Sequence, residues 1–311
     1  MSEQHKDGAP AEKQAAPDRA SAERAGPERV TVRKTYKLYI GGAFPRSESG
    51  RSYPVSSGRG KLLAYASQAS RKDVRDAVRA ARSALGGWSK ATAYNRGQVL
   101  YRVAELLEGR HAQFADEVAA AEGLSAAKAR AAVDAAIDRW VHYAGWTDKF
   151  AQVVGATDPV AGPYFTFSLP EPTGVVGVLA PPDSSLLGLV SVVAPVLATG
   201  NTAVVIAAQD RPLPAVSLTE VLATSDVPGG VLNLLTGFTA ELAPWLAAHR
   251  DVNALDLTGA APAARADLRA AAADTVKRVY VPRVTDWAAA PDLSRLRAFT
   301  EVKTVWHPVG I

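Results

Sequence analysis

The sequence contains no cysteine, a single methionine and five histidines in 311 residues. Without cysteine, disulfide bonds and thiolate metal sites are excluded, and so is any reaction that requires a thiolate nucleophile. The histidines are scattered, with no HxxxH or HxH spacing. We therefore expect no metal site.

Long apolar runs are also missing. No stretch approaches the roughly 18 consecutive apolar residues of a membrane span, and the N-terminal residues are too polar for a secretory signal. We therefore predict no membrane contact and a cytoplasmic location. The 35 basic residues are interspersed with 31 acidic ones, without an aromatic-basic stripe, so we do not expect nucleic-acid binding.

The sequence changes character along its length. Residues 1–35 have almost no large apolar side chains, which predicts a disordered tail. Strand-like runs follow at 36–40 and 51–55, with a glycine turn between them. Further on, Ser70 and Asp73 resemble a capping box. The residues after it recur at helical spacing, namely Val74, Ala77, Val78, Ala81 and Leu85.

Further helices are predicted at 91–108, 112–121 and 125–150. After them, residues 162–173 favour an extended strand outside the main sheet. Apolar runs then alternate with helix-competent segments, at 175–180, 203–207, 231–235, 254–257 and 278–281. This alternation is typical of βαβ units, and strands this apolar need cover on both faces. The predicted fold is α/β, a doubly wound parallel Rossmann-like sheet with an N-terminal helical layer.

Four ordered motifs fall within this α/β region. They read GVVGVLAP at 174–181, AP with LATGNT at 194–202, PGGVLN at 228–233 and LTG at 257–259. Together they resemble successive landmarks of the aldehyde dehydrogenase superfamily. LYIGGAF at 38–44 extends the resemblance back to about residue 36, and FTEVKTVW at 299–306 is similar to the family's last strand. The resemblance implies an NAD or NADP cofactor and a catalytic cysteine.

This chain departs from the family pattern in two ways. Where the resemblance implies a complete catalytic domain with the nucleophilic cysteine, residues 283–298 form only a short linker. Asp183 stands where the family places an asparagine that donates to the developing oxyanion, and an ionised aspartate can only accept hydrogen bonds. The resemblance therefore implies no catalytic residue, and a truncated member that is inactive alone.

The cofactor contacts implied by the resemblance are altered as well. Gln209 replaces a glutamate in the family's Lys-Pro-(Ser/Ala)-Glu element, and residues 260–264 replace Ser-Thr-x-x-Gly after Thr258 and Gly259. The family's general-base segment is replaced, approximately, by Pro282 and Arg283. Each lost polar contact is worth about 1–3 kcal/mol. We expect no productive cofactor site, with Thr258, Gly259 and Gln209 as its vestiges.

Two strand segments, at 162–173 and 299–311, correspond by resemblance to the family's antiparallel oligomerisation arm. The candidate interface residues are Tyr164, Phe165, Phe167, Val302, Val305 and Trp306. Exposed strand edges of this kind invite pairing, although the two segments could instead pair only with each other. The remaining predicted boundaries are 36–161 for the N-terminal strands and helices and 174–282 for the Rossmann-like units.

Three functional hypotheses remain open at this point. The first is a non-catalytic partner subunit of a full-length, NAD(P)-dependent aldehyde dehydrogenase. The second is an oxidoreductase with residual NAD(P) binding. The third is a scaffold protein that acts through its charged N-terminal tail.

Overall fold

The computed structural model describes Met1, Val30, residues 32–282 and residues 286–310. The chain divides into the units Met1–Val32 and Arg33–Ile311. Every described helix and strand belongs to the second unit. The predicted tail therefore lies almost wholly outside the described residues, and the other domain boundaries stay predictions.

A small sheet opens the second unit. It contains β1 (Thr35–Tyr36), β2 (Ser52–Ser56) and β3 (Leu62–Ser67), in the order β1-β3-β2. The strand predicted at 51–55 is confirmed, and β3 was not predicted. The strand predicted over 36–40 is wrong beyond Tyr36, because Tyr39 turns away to the central sheet. There Tyr39 and Leu234 exchange backbone N–H···O bonds of 2.9 and 2.7 Å.

Five helices follow the small sheet. They are α1 (Arg71–Lys90), α2 (Ala93–Glu108), α3 (His111–Glu122), α4 (Ala126–Trp146) and α5 (Phe150–Val154). The first four match predicted helices, and the short fifth one was not predicted, because the helix predicted over 125–150 ends at Trp146. The capping box is confirmed: Lys72 N donates to Ser70 Oγ at 3.1 Å, and Ser70 N donates to Asp73 Oδ2 at 2.7 Å. This reciprocal pair satisfies backbone donors that the first turn leaves free.

An antiparallel arm follows the helices. It contains β4 (Ala156–Thr157) and β5 (Tyr164–Pro172), and its third strand comes from the C-terminal end of the chain.

The central sheet is parallel, as predicted. Its strands are β6 (Val175–Leu179), β7 (Thr202–Ile206), β8 (Leu232–Leu235), β9 (Ala254–Asp256) and β10 (Arg278–Tyr280), in the order β10-β9-β6-β7-β8. The crossovers contain α6 (Leu187–Ala198), α7 (Leu213–Thr224), α8 (Thr239–Ala248) and α9 (Arg265–Ala273). The chain order reverses beside β6, which places a crevice at the carboxyl ends of the strands.

Both faces of this sheet are covered. Val176 and Val178 pack into a cluster with residues of α2, α3, α4, α6 and α7, while Val175 and Leu179 pack against α1, α8 and α9. The alternation follows from the two-residue period of a strand. No helix in the described part of the chain is both long and apolar enough to cross a bilayer.

The segment predicted as a linker contains α10 (Ser294–Ala298), with Arg295 and Leu296 buried. The chain then enters β11 (Thr300–Pro308), which pairs antiparallel with β5 from Thr300 opposite Pro172 to Pro308 opposite Tyr164. The two predicted arm strands thus pair with each other.

A candidate cofactor cleft and its altered lining

A cleft of about 550 Å³ lies at the carboxyl ends of the parallel strands. The loops after β6, β7 and β9 converge here, as they must in a parallel sheet. Four residues singled out from the sequence line it together, namely Asp183, Gln209, Thr258 and Gly259. The structure thus brings these four residues together, and their role as vestiges of a cofactor site stays a prediction.

Asp183 is exposed at one wall of the cleft. Its Oδ2 accepts a hydrogen bond from Trp287 Nε1 at 3.3 Å, and its backbone carbonyl accepts one from Arg211 Nη1 at 3.2 Å. Pro182 comes just before it, and Trp287 packs close to Gly188 beyond it. The side chain that faces the cleft at this position is thus an acceptor, held by an indole.

Gln209 follows β7 and is half-buried. Its backbone carbonyl accepts a hydrogen bond from Tyr53 Oη at 3.1 Å, and its side-chain amide donates to Asp210 Oδ1 at 3.4 Å. Burial raises the pKa of Tyr53, so this hydroxyl stays protonated and remains a donor. The loop after β7 is thus held by a hydrogen bond from the small sheet. The carboxylate in this loop is that of Asp210, next to Gln209.

Thr258 is occupied by protein groups. Its hydroxyl donates to Asp256 Oδ1 and accepts from Arg295 Nη2 at 3.0 Å. Arg295 Nη1 also forms an ion pair with Asp256 Oδ2, and the Asp256 side chain is fully buried. A buried carboxylate needs such a partner because its desolvation is costly. This network uses the only O–H of Thr258, so the hydroxyl cannot donate to an anionic ligand.

Gly259 is held by close packing. Its N–H donates to Leu179 O at 3.0 Å, and a Cβ at this position would lie 2.0 Å from Ala180 O. The following residues form the short 3₁₀ helix Pro262–Ala264 before α9 begins. Pro262 has no N–H to offer, and the alanines have no hydroxyl, so this turn presents few donors to an anion.

Sequence reasoning missed Trp287 and Arg295. Both lie in the segment treated as a linker, and both bind residues of the cleft. A tryptophan in a stretch of alanines and prolines was the available signal, because an aromatic side chain of that size is usually packed. Pro282 lines the cleft, while Arg283 lies outside the described residues. Within the described ranges, no group of three acidic or histidine side chains could hold a metal ion.

A sequence model described as "Aldehyde dehydrogenase family" matches residues 45–282. The chain belongs to the aldehyde dehydrogenase family. Aldehyde dehydrogenase family 2 member B4 of Arabidopsis thaliana is 36% identical over 251 residues, which are 78% of this chain and 45% of that protein. Cytosolic 10-formyltetrahydrofolate dehydrogenase of Mus musculus is 33% identical, over 81% of this chain and 28% of that protein.

Solved aldehyde dehydrogenases share the fold. HpcC from Thermus thermophilus superposes with a TM-score of 0.76 at 31% identity, over 80% of this chain and 48% of that one. A Bacillus cereus aldehyde dehydrogenase, solved as an NAD+ complex, gives a TM-score of 0.75 at 27% identity over 80% and 50% of the two chains. The chain thus spans about half the length of the Arabidopsis relative and of these solved structures, and 28% of the mouse protein.

The arm of this aldehyde dehydrogenase family chain exposes apolar side chains. The exposed fractions are 68% for Val302, 58% for Trp306, 50% for Phe165 and 45% for Tyr164, while Phe167 and Val305 are half-buried. The β5–β11 register places Tyr164, Val302 and Trp306 on one face and Phe165, Phe167 and Val305 on the other. All six predicted interface residues are brought together, and their role in an interface stays a prediction.

Proposed function

We propose that this chain is a non-catalytic subunit that assembles with a full-length aldehyde dehydrogenase through its arm. The observation that carries the proposal is the absence of cysteine from a chain of this family. Hydride transfer from an aldehyde needs a covalent adduct that can release it, and a thiolate is the nucleophile suited to forming one at neutral pH. A cytoplasmic location is part of the same proposal.

The lining of the cleft supports the loss of cofactor chemistry. Thr258 is engaged by Asp256 and Arg295, and Asp183 presents an acceptor to the cleft. A dinucleotide pyrophosphate requires donors, and developing negative charge on a substrate oxygen requires them too. An exposed carboxylate opposes both.

The arm supports assembly. Its two faces expose Val302, Trp306, Phe165 and Tyr164, and no described strand covers the outer edge of β11. An apolar sheet with an open edge is a template for further strands and for self-association. A full-length relative has the catalytic domain that residues 283–298 replace here, and that domain offers the arm a surface that a second copy of this chain does not, which favours a mixed complex over a homodimer.

The test is co-expression with a full-length aldehyde dehydrogenase from the same source, followed by native mass spectrometry. We expect a mixed oligomer with the unaltered chain. The double substitution Val302→Asp and Trp306→Asp should abolish it, because charges on the apolar face oppose burial. Trp245→Asp is the matched control, since Trp245 is 46% exposed on α8, outside the arm.

A mixed oligomer that survives the double substitution would overturn the role of the arm. A soluble, monodisperse monomer of the unaltered chain, recovered despite excess full-length subunit, would overturn the proposal as a whole.

A further inference from the structure

A second cavity, of about 310 Å³, lies between α4 and the segment that precedes α10. Trp287 lines both this cavity and the cofactor cleft. The family match ends at residue 282, so one wall of this cavity is built from residues beyond the matched region.

Arg139 is one of two buried cations that line this cavity, with an exposed fraction of 9%. Its Nη2 donates to the backbone carbonyls of Trp287 and Ala289, at 3.0 Å each. Among the described residues, no carboxylate lies within ion-pair distance of it, and none accepts a hydrogen bond from its Nε or Nη1. A guanidinium has five N–H donors, so Arg139 retains donors that could face a ligand.

A second guanidinium, that of Arg295, lines the same cavity and makes the positive charge of Arg139 less favourable. Arg295 lies on the same cavity wall, with its charge matched by Asp256. Burial is the main cause that lowers the pKa of Arg139; Tyr143 acts in the opposite direction, and the positive charge of Arg295 acts in the same direction as burial. A bound anion beside Arg139 would relieve both effects, because it would supply the missing counter-charge in a site of low dielectric.

Tyr143 supplies a second donor. It lies four residues after Arg139 on α4, so the two side chains share one helix face, and both line the cavity. Burial raises the pKa of Tyr143 to about 12, so the hydroxyl is protonated at neutral pH. In the described part of the chain this hydroxyl has no hydrogen-bond partner, although the side chain is 1% exposed.

The remaining walls limit the charge and size of a ligand. Tyr280, Trp287 and Pro291 provide apolar surface, which suits an organic body. Asp286 and Asp292 also line the cavity, and each is engaged in a local turn, with Ala288 N and Ser294 N respectively. Neither carboxylate lies within ion-pair distance of Arg139, and both would repel a dianion such as phosphate more strongly than a monocarboxylate.

We propose that this cavity binds a small monocarboxylate with an apolar body, whose oxygens accept hydrogen bonds from the Arg139 guanidinium and the Tyr143 hydroxyl. Benzoate and propionate are suitable probes, and inorganic phosphate is the dianionic comparison. The cavity is lined by residues of this chain and lies outside the arm, so a failed binding test would leave the subunit proposal unaffected.

The test is a titration of benzoate with the purified full chain, in which saturation-transfer NMR of the benzoate signals measures binding. We expect saturable benzoate binding, weakened about tenfold by Arg139→Gln, because a hydrogen bond to a charged group is lost. Tyr143→Phe should weaken it several-fold while keeping the packed ring. Arg96→Gln is the matched control, since Arg96 also donates to backbone carbonyls and lines a different cavity.

Three results would overturn the assignment: no saturable benzoate binding, phosphate binding tighter than benzoate, or the same dissociation constant for the unaltered chain and Tyr143→Phe. The comparison of the unaltered chain with Tyr143→Phe tests the assignment even if Arg139→Gln does not fold, because Tyr143→Phe removes only the hydroxyl.

Discussion

At the scale of single residues, the buried pair of Asp256 and Arg295 connects the central sheet to the segment after it. Asp256 ends β9 with a fully buried side chain, and Arg295 reaches it from α10. An ion pair of this kind adds little over an apolar pair of similar volume, yet removal of one member leaves an uncompensated charge. The pair therefore determines how firmly α10 is held.

Arg295→Met should lower the free energy of unfolding by about 3–5 kcal/mol, because Asp256 would stay buried without its partner. The double variant Asp256→Leu with Arg295→Met should recover most of that loss. Urea unfolding of the single and double variants measures both values. If the double variant is as unstable as Arg295→Met, the loss comes from packing and not from charge.

Residue positions in the cleft were predictable only in part. Asp183, Gln209 and Thr258 follow strands of one parallel sheet, so their proximity follows from topology. The contacts of Trp287 and Arg295 could not be predicted, because both lie in an irregular segment whose path depends on tertiary packing. The role of Asp256 could not be predicted either, because it lies inside an apolar run that predicts a strand and nothing about its side-chain partners.

At the scale of elements, close backbone contacts fix the loop after β9. A Cβ on Gly259 would lie 2.0 Å from Ala180 O and 2.7 Å from Leu179 O. These are backbone atoms at the end of β6, so they cannot rotate away as a side chain could. Gly86 in α1 is the opposite case, because a Cβ there would meet no atom within 4 Å.

Gly259→Ala should therefore lower the free energy of unfolding by about 1–3 kcal/mol through overpacking. Gly86→Ala should raise it by about 0.5–1 kcal/mol, because alanine is the better residue inside a helix. Urea unfolding of both variants measures the two changes. Equal effects of the two substitutions would show that the loop after β9 is not constrained by β6.

The long elements were the easiest to predict. The capping box and apolar residues such as Val74 and Val78 predicted the helix α1. A run of apolar residues predicted the strand β6. The strand β3 (LLAYAS) was missed because it contains no β-branched residue, and its leucines and alanines do not favour a strand over a helix. The helix α10 was missed because five residues carry too little periodicity.

At the scale of the whole molecule, the core is intact, whereas the cleft and the arm differ in what they offer to other molecules. The sheet and its helices bury a large apolar core on both faces, which accounts for a stable fold of the aldehyde dehydrogenase type. The cleft presents an acceptor at Asp183 and engages Thr258 in an internal network, whereas the arm presents exposed apolar side chains. These features are the basis of the proposal that this chain serves assembly, with oxidation carried out by a full-length subunit.

The most direct measurement is aldehyde-dependent reduction of NAD and NADP by the purified chain, free of full-length homologues and followed by the absorbance of the reduced nicotinamide. Acetaldehyde and benzaldehyde serve as substrates, and a full-length aldehyde dehydrogenase in the same buffer serves as the positive control. We predict no reduction above the protein-free rate, because the sequence contains no thiol to form the adduct. Sustained reduction of either cofactor that depends on the aldehyde would contradict this prediction.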